Sequence, residues 1–306
     1  MASDAIWVEG LRKSYGRLLA VEDVSFSVRE GEIFGLLGAN GSGKTTTVEC
    51  LQGLRTADAG VLRVLDLDPR TEKTALRRLI GSQLQESALP DRIKVWEALR
   101  LFAAAVPGAS DWEGLLEQWG LAHKRNASFA SLSGGLRQRL FIALALVNDP
   151  RLVFLDEMTT GLDPAARRLA WQLIEEVRDR GTTVLLVTHF MDEAERLCDR
   201  IAVLGRGRVL DVGTTDEIID RHGGETVITF SFAGDAAFLA RIPHVQKVDV
   251  HGDRVEIRGV GAVVAHVGHA LVENGYRTVD LHVVRPSLED VFLDMTDGEP
   301  SEEMSE

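Results

Sequence analysis

Residues 33–46 read Ile33-Phe34-Gly35-Leu36-Leu37-Gly38-Ala39-Asn40-Gly41-Ser42-Gly43-Lys44-Thr45-Thr46, and the order of residue types in this stretch decides the fold. An apolar run that suits a buried strand gives way to a glycine-rich turn, and the turn opens into a helix-compatible run that starts with a lysine. Glycines let the backbone curl so that successive N–H groups face one point, and the helix N-terminus adds the positive end of its dipole. Such a cradle fits a triphosphate. Gly38, Ala39, Asn40, Gly41, Ser42, Gly43, Lys44, Thr45 and Thr46 are the expected binding positions. Lys44 offers a point charge to the β and γ phosphates, and the Thr45 hydroxyl offers a ligand for Mg²⁺. A chance glycine-rich turn would not carry both flanks.

Two more apolar runs, 152–155 and 184–188, read as buried strands, and each stops at polar residues: Asp156-Glu157 after the first and His189 after the second. Short β-rich runs alternate with amphipathic stretches across 6–210, the pattern of helices layered on a largely parallel α/β sheet. Ligands in such sheets gather beyond the carboxyl ends of the strands. Asp156 is therefore expected to hold Mg²⁺ and Glu157 to act on a water. An apolar strand ending in Asp-Glu is often only a strand reaching solvent; the phosphate loop at the same sheet edge is what gives this one meaning. Leu132-Ser133-Gly134-Gly135 precedes another helical run. It reads either as a second anion cradle or as an ordinary helix cap.

The chain has 306 residues, 45% hydrophobic and 26% charged, enough for one large domain or two ordinary ones with a packed core. Acidic residues outnumber basic ones, 47 to 34, for a net charge of −13, which argues against nucleic acid as a partner. Cys50 and Cys198 stand far apart and outside any CxxC spacing, so neither a disulfide framework nor a zinc site is expected. No basic segment followed by an apolar run opens the sequence. No stretch approaches the ~18 apolar residues of a membrane span, so the chain is not expected to cross a bilayer by itself.

A helical subdomain is expected at about 82–147, with helices near 95–105 and 112–121, and Trp96, Trp112 and Trp119 are read as packing residues. From 225 to 284 the order is strand, helix, strand, strand, helix, strand, which matches the ferredoxin-like arrangement. Ser287 with Asp290 is a capping-box-like start to a last helix that carries Leu288, Val291, Phe292 and Met295 on one side. The expected domains are residues 1–218, then a small α+β domain at 219–296, then an acidic, disordered tail at 297–306.

With these motifs in order, the chain resembles an ABC-transporter ATPase subunit over 6–210. The resemblance implies a P-loop NTPase fold, ATP with Mg²⁺, and hydrolysis in a head-to-tail dimer catalysed by Lys44, Glu157 and His189. In that family the Leu-Ser-Gly-Gly turn binds the γ-phosphate held by the other subunit, a role that falls to Ser133, Gly134 and Gly135, although Leu136 replaces the usual glutamine. The resemblance makes Tyr15 the residue that stacks on adenine and Gln85 the glutamine that reaches toward Mg²⁺ and the membrane subunit. It makes His189 the switch residue on the γ-phosphate. It assigns Asp163, in Gly161-Leu162-Asp163, to coupling the two sites across the dimer, with Met158 where proline is common. Arg285-Pro286-Ser287-Leu288-Glu289-Asp290-Val291-Phe292-Leu293 resembles the tail of daunorubicin-resistance-type drug-exporter ATPases, whose partner is a separate ABC-2-type permease. A homodimer at the cytoplasmic side of the cell membrane, held there by the permease, is the implied setting. The C-terminal domain would then regulate or support the dimer. The alternatives are a non-transport ABC ATPase acting on a nucleic-acid or ribosomal partner, and a phosphate-loop kinase. Against the first stand the acidic balance, the single cassette and the lack of a coiled-coil or zinc insertion; against the second, the Ser-Gly-Gly turn.

Overall fold

A computed structural model describes residues 4–83, 89–105, 111–232, 234, 236–276 and 280–297. The chain divides into two compact units, Met1–Thr215 and Asp216–Glu306. In the first, β1 (Asp4–Tyr15), β2 (Leu18–Arg29), β3 (Ile33–Gly38), β4 (Ala59–Val64), β5 (Ile80–Gln83), β6 (Leu152–Asp156), β7 (Thr183–Thr188), β8 (Arg200–Gly205) and β9 (Arg208–Gly213) form one sheet. Its strand order is β4-β1-β2-β9-β8-β3-β7-β6-β5.

The expected parallel arrangement holds from β8 to β5. Beyond β8 the sheet is mixed: β2 pairs parallel with β9, but β1 pairs antiparallel with β2 and β4, and β9 antiparallel with β8. For β1–β2 and β8–β9 the cause is connection length, because a parallel neighbour needs a crossover of a dozen residues or more and these pairs are joined by tight turns. Arg206 and Gly207, between β8 and β9, both have positive φ (44° and 75°), the geometry of a two-residue hairpin.

Strands β3, β6 and β7 are buried along their whole length, so both of their faces need cover. Helices α1 (Lys44–Leu51), α2 (Lys73–Leu79), α3 (Val95–Ala105), α4 (Trp112–Gln118), α5 (Gly134–Ala145), α6 (Pro164–Asp179) and α7 (Met191–Leu197) accompany the sheet. Alternate strand residues enter two separate cores. Phe34, Leu36, Phe154 and Leu185 pack with Val21, Phe26 and Leu62. Val153, Leu155, Val184 and Leu186 pack instead with Leu99, Leu116, Trp119, Leu140 and Ile174. The helices of the 82–147 region thus share a core with one face of the sheet. Trp119 is fully buried there, and the Trp96 and Trp112 rings meet at 6.5 Å, as packing residues should. Helix α4 stops at Gln118, short of the expected 121, because Gly120 adopts φ 65°. The Gly120 N–H then bonds to the Glu117 carbonyl and the Leu121 N–H to that of Leu116, a Schellman closure.

The second unit contains α8 (Thr215–His222, from its second residue on), β10 (Thr226–Ser231), β11 (Val245–His251), β12 (Arg254–Gly259), α9 (Val263–Glu273), β13 (His282–Val284) and α10 (Leu288–Asp297). Its sheet is antiparallel in the order β11-β12-β10-β13, as the split βαβ pattern requires. The segment expected to be helical at 236–242 is a 3₁₀ helix over Ala236–Arg241. Pro243 stands just beyond it, and the helix goes no further. At the start of α10 the Ser287 N–H bonds to Asp290 Oδ2 (2.8 Å) while the Asp290 N–H returns to Ser287 Oγ (3.1 Å), a reciprocal cap. The expected disordered tail lies, from residue 298 on, outside the described residues. No helix among the described residues is long and apolar enough to cross a membrane.

Gly81 in β5 faces the end of α5, where an added Cβ would sit 1.9 Å from the Ala145 carbonyl oxygen; at Gly268 in α9 a Cβ would meet nothing. Gly81→Ala is expected to destabilise the chain by about 2 kcal/mol or more, and Gly268→Ala to stabilise it by roughly 0.5–1 kcal/mol. Denaturant midpoints of the two variants check both signs.

Candidate functional site

Strand β3 delivers the chain into the glycine-rich turn, and the turn closes only because of its glycines. Gly41 and Gly43 take φ of 82° and 100°. A Cβ at Gly43 would stand 2.6 Å from the Ala20 carbonyl oxygen, and one at Gly38 would stand 2.7 Å from that of Leu204. The β8–β9 hairpin braces the turn from outside, where the Gly207 N–H bonds to the Ser42 carbonyl at 3.0 Å. Helix α1 begins at Lys44 with no side-chain cap, so its first N–H groups have no partner within the helix.

The Lys44 amine folds back into the turn and donates to the carbonyls of Gly38 (2.8 Å) and Ala39 (3.0 Å). The residue is only 6% exposed. Burial holds its pKa below the ordinary lysine value, against the opposing pull of Glu157 and Asp156. Beside it, the buried Ser42 hydroxyl has no hydrogen-bond partner.

Asp156 ends β6 and is buried. Burial, followed by the neighbouring Glu157 charge, pushes its carboxyl up to about 6, with Lys44 opposing. Glu157 follows in the left-handed region, φ 47°, with its N–H bonded to the Val187 carbonyl. That conformation costs a non-glycine residue about 1 kcal/mol or more, and it turns the side chain out of the strand's alternation. Glu157 Oε1 lies 3.2 Å from Nδ1 of His189, the residue just after β7. The His189 ring lies tilted by 39° against Phe190, with ring centres 4.2 Å apart.

A cavity of 460 Å³ opens over the turn, lined by Tyr15, Leu18, Leu19, Ala20, Asn40, Gly41, Gly43, Lys44, Thr45, Thr46 and Glu157. Most of the nucleotide positions read from sequence thus come together. Leu18, Leu19 and Ala20 were missed, and their only signal is that they complete the hairpin beginning at Tyr15. The exposed Tyr15 ring has Lys13 Nζ at 5.5 Å and Arg55 Cζ at 5.9 Å from its centre. Gln85, expected near the metal, lies outside the described residues.

Ser133, Gly134 and Gly135 are not among the residues lining this cavity. Ser133 caps α5 by backbone conformation, without a side-chain bond, and it is exposed together with Gly134. A Cβ on Gly134 would come within 3.9 Å of Leu162, which places the turn beside the 161–163 loop. Asp163 in that loop is the N-cap of α6; its Oδ1 accepts from Ala165 and Ala166, and these bonds hold its carboxyl below the ordinary range. Met158 is buried at 2% exposure.

The residues present fit a magnesium–nucleotide. The turn leads into a helix N-terminus with no side-chain cap and holds an unpartnered buried hydroxyl and a buried cation whose carbonyl partners an anion could displace. Asp156 and Thr45 are hard oxygen donors of the kind Mg²⁺ takes, and a divalent cation would relieve the repulsion between Asp156 and Glu157.

Comparison with known proteins agrees with this geometry. The family model described as ABC transporter matches residues 21–160, and that described as ATP-binding protein DrrA1-3-like, C-terminal domain, matches 213–296. The chain is 40% identical to Nod factor export ATP-binding protein I of Rhizobium sp. (strain N33), over 98% of this chain and 99% of that protein. It is 36% identical to Daunorubicin resistance ATP-binding protein DrrA3 of Streptomyces coeruleorubidus, over 97% of each. Among solved structures, an ATP-binding subunit of an ABC transporter superposes with a TM-score of 0.65 at 31% identity, covering 72% of this chain and 93% of that one. A dimeric, post-hydrolysis ATP-binding cassette bound to ADP and Pi gives 0.61 at 26%, covering 68% and 98%.

The raised Asp156 carboxyl has a consequence for stability. Between the ordinary value of 3.8 and about 6 the folded chain keeps a proton that the unfolded chain has released, so stability falls as pH rises through that window. Asp156→Asn, free of metal and nucleotide, should therefore gain on the parent as pH rises, by at most about 3 kcal/mol at pH 8, and match it near pH 3. Denaturant titrations across that range read the difference directly.

Proposed function

We propose that this chain, which belongs to the ABC transporter family of ATP-binding subunits, hydrolyses ATP in a head-to-tail homodimer to drive export through a separate ABC-2-type permease. The observation that carries the reading is the separation, within one chain, of the Lys44 cavity from the Ser133–Gly135 turn. One molecule has half of a site at each place, and two copies related head to tail join the halves twice. The cargo class we assign is a drug, antibiotic or other hydrophobic compound, in keeping with the name of the daunorubicin-resistance relative, and the name of the Nod factor relative supports export. The subunit would sit peripherally at the cytoplasmic face of the membrane, held by its permease. The C-terminal unit would support or regulate the pair.

In this mechanism Tyr15 stacks on the base, and the N–H groups of the glycine-rich turn hold the phosphates. The Lys44 amine exchanges its two carbonyl partners for phosphate oxygens, which give a counter-charge to a cation that burial disfavours. Magnesium, held by Thr45, Asp156 and Gln85, would supply charge neutralisation at the β and γ oxygens. Glu157 accepts the proton of the attacking water, and His189, in contact with Glu157 Oε1, keeps that carboxylate oriented and reaches the γ-phosphate. The partner's serine-glycine turn adds donors where negative charge grows. Asp163, whose loop lies beside the chain's own Ser133–Gly135 turn, would link one site to the other. Nucleotide favours the closed pair because it touches both faces, and hydrolysis removes that preference.

Glu157→Gln should bind ATP with parental affinity and slow its hydrolysis by roughly 10²- to 10⁴-fold. The same variant should sediment as a dimer with Mg-ATP and as a monomer without it. Adding Ser133→Arg should abolish the dimer and leave ATP binding by the single chain intact. Parental hydrolysis by Glu157→Gln, or a dimer indifferent to Ser133→Arg, would overturn the reading.

A further inference from the structure

One fully buried carboxyl has no part in the mechanism above. Glu193, on α7, is 0% exposed. Its Oε1 accepts a 3.0 Å hydrogen bond from Trp171 Nε1 on α6, and the hydroxyls of Thr159 and Thr188 face the same carboxyl. Three arginines of these two helices are engaged elsewhere: Arg167 pairs with Asp192, Arg178 with Asp179, and Arg196 with Glu175. Burial pushes the Glu193 carboxyl up, against the pull of its hydrogen-bonding neighbours. Glu193 Oε2 and Thr159 Oγ1 are both buried without a hydrogen-bond partner.

A carboxyl used only for packing would be a poor choice here, since an apolar group of like volume fills a core at lower cost. What distinguishes this position is the set of elements it joins. Thr159 lies in the loop that runs from Glu157 to Asp163. Thr188 is the last residue of β7, immediately before His189, and its Oγ1 already accepts from the Phe190 N–H at 3.0 Å. Trp171 belongs to α6, the helix capped by Asp163. A single side chain therefore contacts the loop of the proposed base, the strand end of the proposed histidine and the helix that follows the coupling aspartate.

We infer that Glu193 is a positioning residue for hydrolysis. Through Trp171, Thr159 and Thr188 it holds the 157–163 loop and the end of β7 as one body, so that Glu157 and His189 keep their 3.2 Å contact. The inference rests on the roles proposed above for Glu157 and His189.

The test uses the full chain, with ATP affinity measured separately from single-turnover hydrolysis. Glu193→Gln keeps an acceptor for Trp171 and a donor for Thr159, so it should hydrolyse within about threefold of the parent. Glu193→Ala should lower the single-turnover rate by roughly 30- to 100-fold while ATP affinity stays within about threefold, the signature of misplaced groups rather than lost binding. Trp171→Phe and Thr159→Val should each slow hydrolysis less, and neither should add its full effect to Glu193→Ala. A parental rate for Glu193→Ala, a parallel loss of ATP affinity, or a glutamine variant as slow as the alanine one would each overturn the inference. Should Glu193→Ala not fold, parental rates for both Trp171→Phe and Thr159→Val would overturn it equally. Glu157→Gln, run in parallel, separates the two levels. If it is slow while Glu193→Ala is parental, only the positioning role fails; if it hydrolyses at the parental rate, the site reading fails and this inference falls with it.

Discussion

The ammonium group of Lys44 sits inside the turn it belongs to, bonded to two carbonyls of that turn and removed from water. A buried cation needs negative charge nearby, and the sheet supplies it from neighbouring strands. The order β3-β7-β6, all parallel, brings three strand ends into line, with Leu37 opposite Thr188 and Asp156 opposite Val187. An antiparallel neighbour would carry its end to the other edge. The parallel core is therefore what allows Lys44, Asp156 and His189 to meet, and the antiparallel strands beyond β8 are free to do other work. One of their hairpins braces the turn through Gly207, and another contributes Tyr15 to the cavity rim.

This arrangement is unfavourable until the site is filled. Burial raises the Asp156 carboxyl and depresses Lys44, and Glu157 occupies a left-handed backbone conformation. Each feature is a local cost carried by the rigid cores on the two faces of the sheet. Such conflicts between local preference and global fold gather where a ligand will resolve them. A triphosphate with a divalent cation addresses all the charges together, which is a physical reason for the binding free energy to be large enough to move protein surfaces.

What the sequence made legible follows the strength of the local signals. The runs at 33–37, 152–155 and 184–188 are apolar on both faces and end abruptly, so strands β3, β6 and β7 and the residues beyond them could be read directly. The α9 helix and the Ser287–Asp290 cap were equally visible, because periodicity and capping chemistry are local. Strand direction was not. Gly16-Arg17 and Arg206-Gly207 carry weak turn signals inside long β-rich stretches, and the antiparallel flank went unread. The left-handed φ of Glu157 leaves no trace in residue type, since glutamate does not favour it. The cluster of Glu193, Trp171 and Thr159 was hidden for another reason: its members are far apart in sequence and each alone reads as ordinary helix or loop.

The separation of the two helix N-termini sets the terms on which, in the proposed mechanism, a pair of chains acts as a switch. Helix α1 directs its free N–H groups at the cavity, whereas α5 presents its own N-terminus, uncapped by the Ser133 side chain, to solvent. Neither end is satisfied by the protein. An anion bound at the first gains contacts at the second only if another molecule brings it, so the second contact contributes to association and nothing to binding by a lone chain. Moving such an equilibrium from mostly open to mostly closed takes about 5.5 kcal/mol of differential binding. One γ-phosphate against one helix terminus, at about 0.3–2 kcal/mol, falls short of that. The same contact made twice in a symmetric pair, with the serine hydroxyl and backbone donors added at each, comes within reach. A site divided between chains is thus matched to a ligand that is spent in use, because removing one phosphate withdraws the contact that joined them.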